Sequence, residues 1–187
     1  MKNNNIIPAI KLTLISILFF AGIYPLILWG IAPYTPHAGQ GEIINHDGKK
    51  YYSNIGQSFT NNNYFWSRPS AVQYNAGGSG GSNKGPSNKE YLATVQARID
   101  TFLHYNPEID KSQIPVDLVT ESGSGLDPHI SVEAAKVQVK RIAKIRHIPE
   151  EKLTQLITQH TEKPLWGLFG PEKINVLKLN IALDKLE

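Results

Sequence analysis

LTLISILFFAGIYPLILWGIA, residues 12–32, contains no Asp, Glu, Lys or Arg, and the uncharged stretch continues to Gly41. As a helix rising ~1.5 Å per residue it spans roughly 31 Å, about one hydrocarbon core. Thr13 and Ser16 can satisfy their hydroxyls on their own helix, and membrane helices tolerate a bend at Pro25. Leu12, Phe19 and Phe20 supply apolar surface, while Tyr24 and Trp29 sit towards the far end, where Trp in particular suits an interface. Lys2 and Lys11 precede the run and the next cation is Lys49. Positive-inside logic therefore expects a cytoplasmic N-terminus and an exported remainder. A cleaved signal peptide ending at the small residues Gly30-Ile31-Ala32 is the rival, but its apolar region is usually about 7–15 residues, shorter than this one. An uncleaved anchor is expected.

The boundaries that follow are a cytoplasmic N-terminus at 1–11, a transmembrane helix at 12–32, a linker at 33–41 and an extracytoplasmic domain at 42–187. The full chain of 187 residues, 41% hydrophobic, suffices for one domain of ordinary size plus the anchor. Lys and Arg number 19 against 16 Asp and Glu, a formal +3 that is too small for the dense basic face of a nucleic-acid binder. The absence of cysteine excludes disulfides and Cys-ligated zinc.

In the exported part, Asp47-Gly48 between apolar flanks predicts a β-hairpin over about 42–45 and 50–57. Tyr64-Phe65-Trp66 is an aromatic cluster. Residues 77–87, GGSGGSNKGPS, have linker composition. Ser87 with Glu90 matches a capping box, and the apolar spacing behind it predicts a helix over 88–104. A second helix is expected from an N-cap at Ser131 to His147, and a third over 149–161. A loop with Trp166 and Phe169 follows, and the 172–186 pattern favours a helix over partial strand alternation. The fold class is α+β: one N-terminal transmembrane helix, then a small exported domain with a β-hairpin or small sheet and three to four helices.

Several stretches imitate active sites. Residues 77–81 match G-x-S-x-G, but they lack the strand before and the helix directly after that a nucleophile elbow requires. TESGSGLDPHIS, residues 120–131, holds serines, an acid and a histidine. Asp and Ser bonding to turn backbone, with Pro128 ahead of a helix start, account for it without catalysis. The six histidines, at 37, 46, 104, 129, 147 and 160, include no i, i+4 pair, so no metal site is expected. The glycine loop lacks a Walker lysine and would at most cradle an anion. Lys136, Lys140, Arg141, Lys144 and Arg146 make the second helix basic; a solvated face is the ordinary meaning, a docking face the sharper one.

Taken in order, the segments 64–71 (YFWSRPSA), 74–76 (YNA), 79–83 (SGGSN), 85–88 (GPSN), 117–120 (DLVT), 122–131 (SGSGLDPHIS) and 175–184 (NVLKLNIALD) resemble the KdpC family, the small subunit of the Kdp potassium-transporting P-type ATPase. The resemblance covers nearly the whole chain; Val132 departs from it, since proline is frequent there. It implies an accessory, non-catalytic subunit, bound to a channel-like potassium-binding subunit, an ATP-hydrolysing subunit and a small single-helix subunit. It implies residence in the bacterial inner membrane, in contact with lipid. It also implies a catalytic-chaperone role that raises the ATP affinity of the hydrolysing subunit, so ATP enters only through the partner and no bound cofactor is expected. The chain lacks the DKTGT phosphorylation motif of the pump subunit. Trp66, Arg68, Pro69, Ser79, Gly80, Asn83, Gly85, Pro86, Asp127 and His129 are the motif residues expected to be structural or interfacial. The alternative is a membrane-anchored periplasmic hydrolase, which Ser124→Ala or His129→Ala would inactivate, or a ligand-binding module, which its ligand would stabilise.

Overall fold

The computed structural model describes residues 5–186, which fall into two compact units divided between Glu42 and Ile43. Lys2, used above for orientation, lies outside the described residues.

The first unit is one apolar helical segment, Ile6–Tyr34, long enough to cross a membrane. It begins earlier than residue 12 because Ile6, Ile7 and Ile10 continue the apolar pattern and Lys11 alone interrupts it. Its parts are α1 (Ile6–Ile17), a π-helical stretch (Leu18–Ile23), α2 (Tyr24–Ile31) and a 3₁₀ turn (Ala32–Tyr34). The π stretch lies just upstream of Pro25, which has no N–H and whose ring crowds the carbonyl four residues back. Leu12, Phe19, Phe20, Tyr24 and Trp29 all project outward from this segment.

The second unit is α+β. Strands β1 (Ile43–His46) and β2 (Lys49–Tyr52) pair antiparallel around Asp47-Gly48, whose φ values of 49° and 72° are those of the tight hairpin turn expected there. The second strand ends at Tyr52 and does not reach 57, because the chain turns so that the Gly56 N–H can meet the Leu126 carbonyl at 2.7 Å. Helix α3 (Lys89–Tyr105) starts one residue later than expected: Asn88 is the N-cap, accepting from the Tyr91 N–H at 2.9 Å, in place of Ser87. Glu90 pairs instead with Lys84 at 3.0 Å.

Ser131 caps as expected, accepting from the Ala134 N–H at 3.0 Å, but the helix behind it is broken into α4 (Val132–Lys136) and α5 (Val139–Arg146). Gln138 is the cause. Its side-chain amide takes the Ala134 carbonyl at 2.9 Å, so its own backbone N–H shifts to Ala135 at 3.1 Å. His147 ends α5 at φ 55°, followed by α6 (Glu150–His160). Strands β3 (His129–Ile130), β4 (Thr161–Glu162) and β5 (Lys173–Asn175) form an antiparallel sheet in the order β3-β5-β4. The start of 172–186 is thus strand, and only α7 (Val176–Asp184) is helical. Asn175 makes the switch, since its side chain caps α7 through the Lys178 N–H at 3.1 Å.

Phe65, Phe102, Ile130, Ile142, Leu153, Ile157, Ile174, Leu179 and Leu183 form the core. Asn180 is buried among them and grips the backbone of Phe65 twice, accepting its N–H at 2.9 Å and donating to its carbonyl at 3.0 Å. A two-point amide contact of this kind replaces a missing strand neighbour and fixes the depth of the aromatic cluster.

Candidate functional site

Most of the motif residues singled out in the sequence lie on two loops, 67–86 and 120–131. The Arg68 Nη1 donates to the Asp127 Oδ2 at 2.8 Å. Asp127 Oδ1 also accepts the His129 backbone N–H at 3.0 Å, the local turn bond expected of an Asp two residues ahead of it. The His129 Nδ1 stands 3.4 Å from Asp127, and its Nε2 stands 3.8 Å from Glu162 on β4. Burial raises the Asp127 carboxyl, but the bonds from His129 and Arg68 outweigh it and hold the group down at about 2. It is an anion at neutral pH, with its charge committed to two neighbours.

The glycine-rich stretch is laced to the second loop and is not a free linker. The Gly80 N–H and the Ser79 hydroxyl both donate to the Ser124 carbonyl, at 2.9 and 3.0 Å. Ser70 donates to the Gly125 carbonyl at 2.6 Å and accepts the Tyr74 N–H at 3.0 Å. Gly125 has φ +67°, and a Cβ there would stand 2.5 Å from a Val72 methyl and 2.8 Å from the Gly80 carbonyl. The composition signals flexibility, yet at Gly81 and Gly125 two backbones approach closely; a Cβ on Gly81 would stand 3.1 Å from the Gly123 carbonyl. Asn83, Gly85 and Pro86 are different: all three are exposed, and they form the turn that leads into α3.

The hydrolase constellation is not assembled. Ser122 is buried, and Ser124 Oγ accepts from the Leu126 N–H at 3.1 Å. Among the described residues no hydrogen bond pairs His129 with a serine hydroxyl, and no group of three or more His, Asp or Glu is placed to hold a metal.

Arg68 pairs with Asp127, and the aromatic cluster takes its guanidinium groups from the second helix: Arg141 lies 4.6 Å over Trp66 and Arg146 5.1 Å over Tyr64. Those two residues are not on the solvated face that is the ordinary meaning of a basic helix. Arg141 is buried, and it donates to the Asn106 side chain at 3.1 Å, the Gln138 side chain at 2.6 Å, the Tyr64 carbonyl at 3.1 Å and the Asn62 carbonyl. Burial pushes its pKa down to about 10, still charged at neutral pH. Arg146 pairs with Asp184. Lys136 and Lys140 are exposed as expected. The signal that could have separated them is phase: Arg141 falls three residues after Gln138, beside the Val139–Ile142 stripe.

A cleft of about 680 Å³ opens beside this network, walled by Phe59, Trp66, Arg68, Tyr74, Arg98 and Tyr105 among others. A second, of about 440 Å³, lies across Arg68 and is walled by Asp127, His129 and Ser131. Neither was legible in the sequence, because each joins residues from segments far apart in the chain. Arg98 is held by Glu121 at 2.6 Å and by the Val119 carbonyl at 3.1 Å, which ties α3 to the second loop.

The chain thus joins an apolar helix to an α+β unit whose polar motif residues brace two loops. The profile of the KdpC family, described as the K+-transporting ATPase c chain, matches residues 6–185. A potassium-transporting ATPase KdpC subunit from Flavobacterium johnsoniae is 54% identical over 184 residues, 98% of this chain and 99% of that protein. One from Flavobacterium psychrophilum is 53% identical over the same coverage, and one from Caldanaerobacter subterraneus is 46% identical over 93% of this chain and 91% of its own length. The chain belongs to the KdpC family.

Proposed function

We propose that this chain is the accessory subunit of a high-affinity, ATP-driven potassium uptake complex. In this reading it assembles with a channel-like potassium-binding subunit, an ATP-hydrolysing subunit and a small single-helix subunit, and it raises the ATP affinity of the hydrolysing one. Residues 6–34 anchor it once in the inner membrane, with the domain on the outer side. The observation that carries the reading is the match along essentially the full chain to subunits named for potassium-transporting ATPases. It is supported by the local geometry, in which Ser79, Ser124, Asp127 and His129 are engaged in loop hydrogen bonds and, among the described residues, no serine hydroxyl is hydrogen-bonded to His129.

ATP is cytoplasmic and the domain is exported, so the effect acts through the conformational equilibrium of the complex. A subunit shifts such an equilibrium only by its differential affinity for the two states, typically ~1–3 kcal/mol or about 5–150-fold in apparent affinity. The test is the ATP dependence of turnover by the assembled transporter with and without this chain. A lower half-saturating ATP concentration with the chain present, and no ATP or ester hydrolysis by the chain alone, is the expected result. Hydrolysis by the chain alone, abolished by Ser124→Ala or His129→Ala, would replace this reading with the anchored hydrolase.

A further inference from the structure

Between β4 and β5 the chain reads KPLWGLFGPE, residues 163–172. The Leu165 N–H bonds to the Phe169 carbonyl at 3.0 Å, and the Phe169 N–H bonds back at 3.1 Å, closing a tight turn. Trp166 and Gly167 both take positive φ, 55° and 74°. L side chains rarely adopt this conformation, so the closed turn holds the Trp166 ring where it would not otherwise sit. The consequence is outward display. Leu165, Trp166, Leu168 and Phe169 are 62, 82, 80 and 60% exposed, and the two rings meet edge to face at 6.1 Å. An apolar cluster of this kind in water marks a contact surface.

Its surroundings say what kind. The base of the turn carries Glu162, Lys163, Glu172 and Lys173, with Glu162 and Lys173 paired at 3.7 Å. An apolar tip above a collar of both charge signs matches the depth profile of a bilayer surface, acyl boundary beneath zwitterionic headgroups. Reach agrees. The apolar helix ends at Tyr34 and the second unit starts at Ile43. The segment between them can extend to at most about 29 Å. If the helix is in the membrane, the domain is held at its surface, and even a weak insertion becomes intramolecular.

We propose that the 165–169 tip inserts Leu165, Trp166, Leu168 and Phe169 into the interface of the bilayer that holds the chain's own anchor. The proposal rests on residues 6–34 being that anchor. Because the chain has no cysteine, Leu168→Cys gives a single attachment point for a spin label. The full-length protein is placed in nanodiscs of phosphatidylcholine and phosphatidylglycerol, and the label's collision rates with oxygen and with a water-soluble nickel chelate are compared. Several-fold preference for oxygen at 168, with the reverse at an exposed control site, Val116→Cys, is the expected result. Adding Trp166→Asp should return the 168 label to the nickel reagent without lowering the melting temperature. A nickel-accessible 168 label on protein that co-elutes with the nanodiscs overturns the insertion and leaves the anchor standing. Shielding at 168 only when the other transporter subunits are present also overturns it, in favour of a protein socket. Protein that fails to co-elute with nanodiscs overturns the anchor and the insertion together.

Discussion

Replacing Arg141 by alanine is expected to destabilise the protein by about 3–5 kcal/mol, because it strips donors from two backbone carbonyls and two buried side chains at once. Lys136→Ala, on an exposed position five residues earlier, should stay within about 0.5 kcal/mol; urea melts of the two variants settle the contrast. Arg68→Ala should likewise impair potassium-limited growth more than Lys136→Ala at equal protein levels, since it releases Asp127 and opens both clefts. Asp127 adds a pH dependence of definite sign. Its folded-state pKa, about 2, lies below the ordinary 3.8, so its contribution is present above about pH 4 and is lost as pH falls towards 2. The amount is about 2 kcal/mol. Asp127→Asn should flatten the stability profile across that window and leave the profile's shape above pH 5 alone. An unchanged acid limb would show that another group governs it.

Among the elements, the contact between the two loops gives the sharpest separation. Gly125→Ala meets both a positive φ and a 2.5 Å approach to Val72, and should cost about 2 kcal/mol or more. Gly85→Ala meets nothing within 4 Å and should be neutral. If the two loops did not pack on each other, the two variants would melt alike. The start of α3 offers a second contrast: Asn88→Ala removes the observed cap and should cost about 1 kcal/mol, while Ser87→Ala should cost little. The packing of the Gly-Ser tract and the cap of α3 both escape the sequence for one reason. A capping box and a Gly-Ser tract are local patterns, whereas the winning arrangement depends on where Lys84 draws Glu90 and where Ser124 meets Gly80. The hairpin at Asp47-Gly48 and the Ser131 cap were legible because their geometry is decided within four residues.

For the whole molecule, protease added to spheroplasts is expected to digest the domain beyond Gly41 while residues 6–34 stay in the membrane. Full protection would reverse the topology. The sequence by itself determined the apolar segment, the α+β class and the family, since hydropathy, turn chemistry and long ordered motifs are all written along the chain. It could not determine which cations face water. Read as one helix over 131–147, Arg141 and Arg146 belong with Lys136 and Lys140 to a single basic stretch, and only their phase beside the Val139–Ile142 stripe hints at a difference. Only the tertiary structure brings Asn62, Tyr64, Trp66 and Asn106 to meet Arg141, across 35 to 79 residues of chain. The physical reason is desolvation. A guanidinium enters a core only where enough acceptors converge from distant segments, and that convergence is a property of packing which no local pattern encodes.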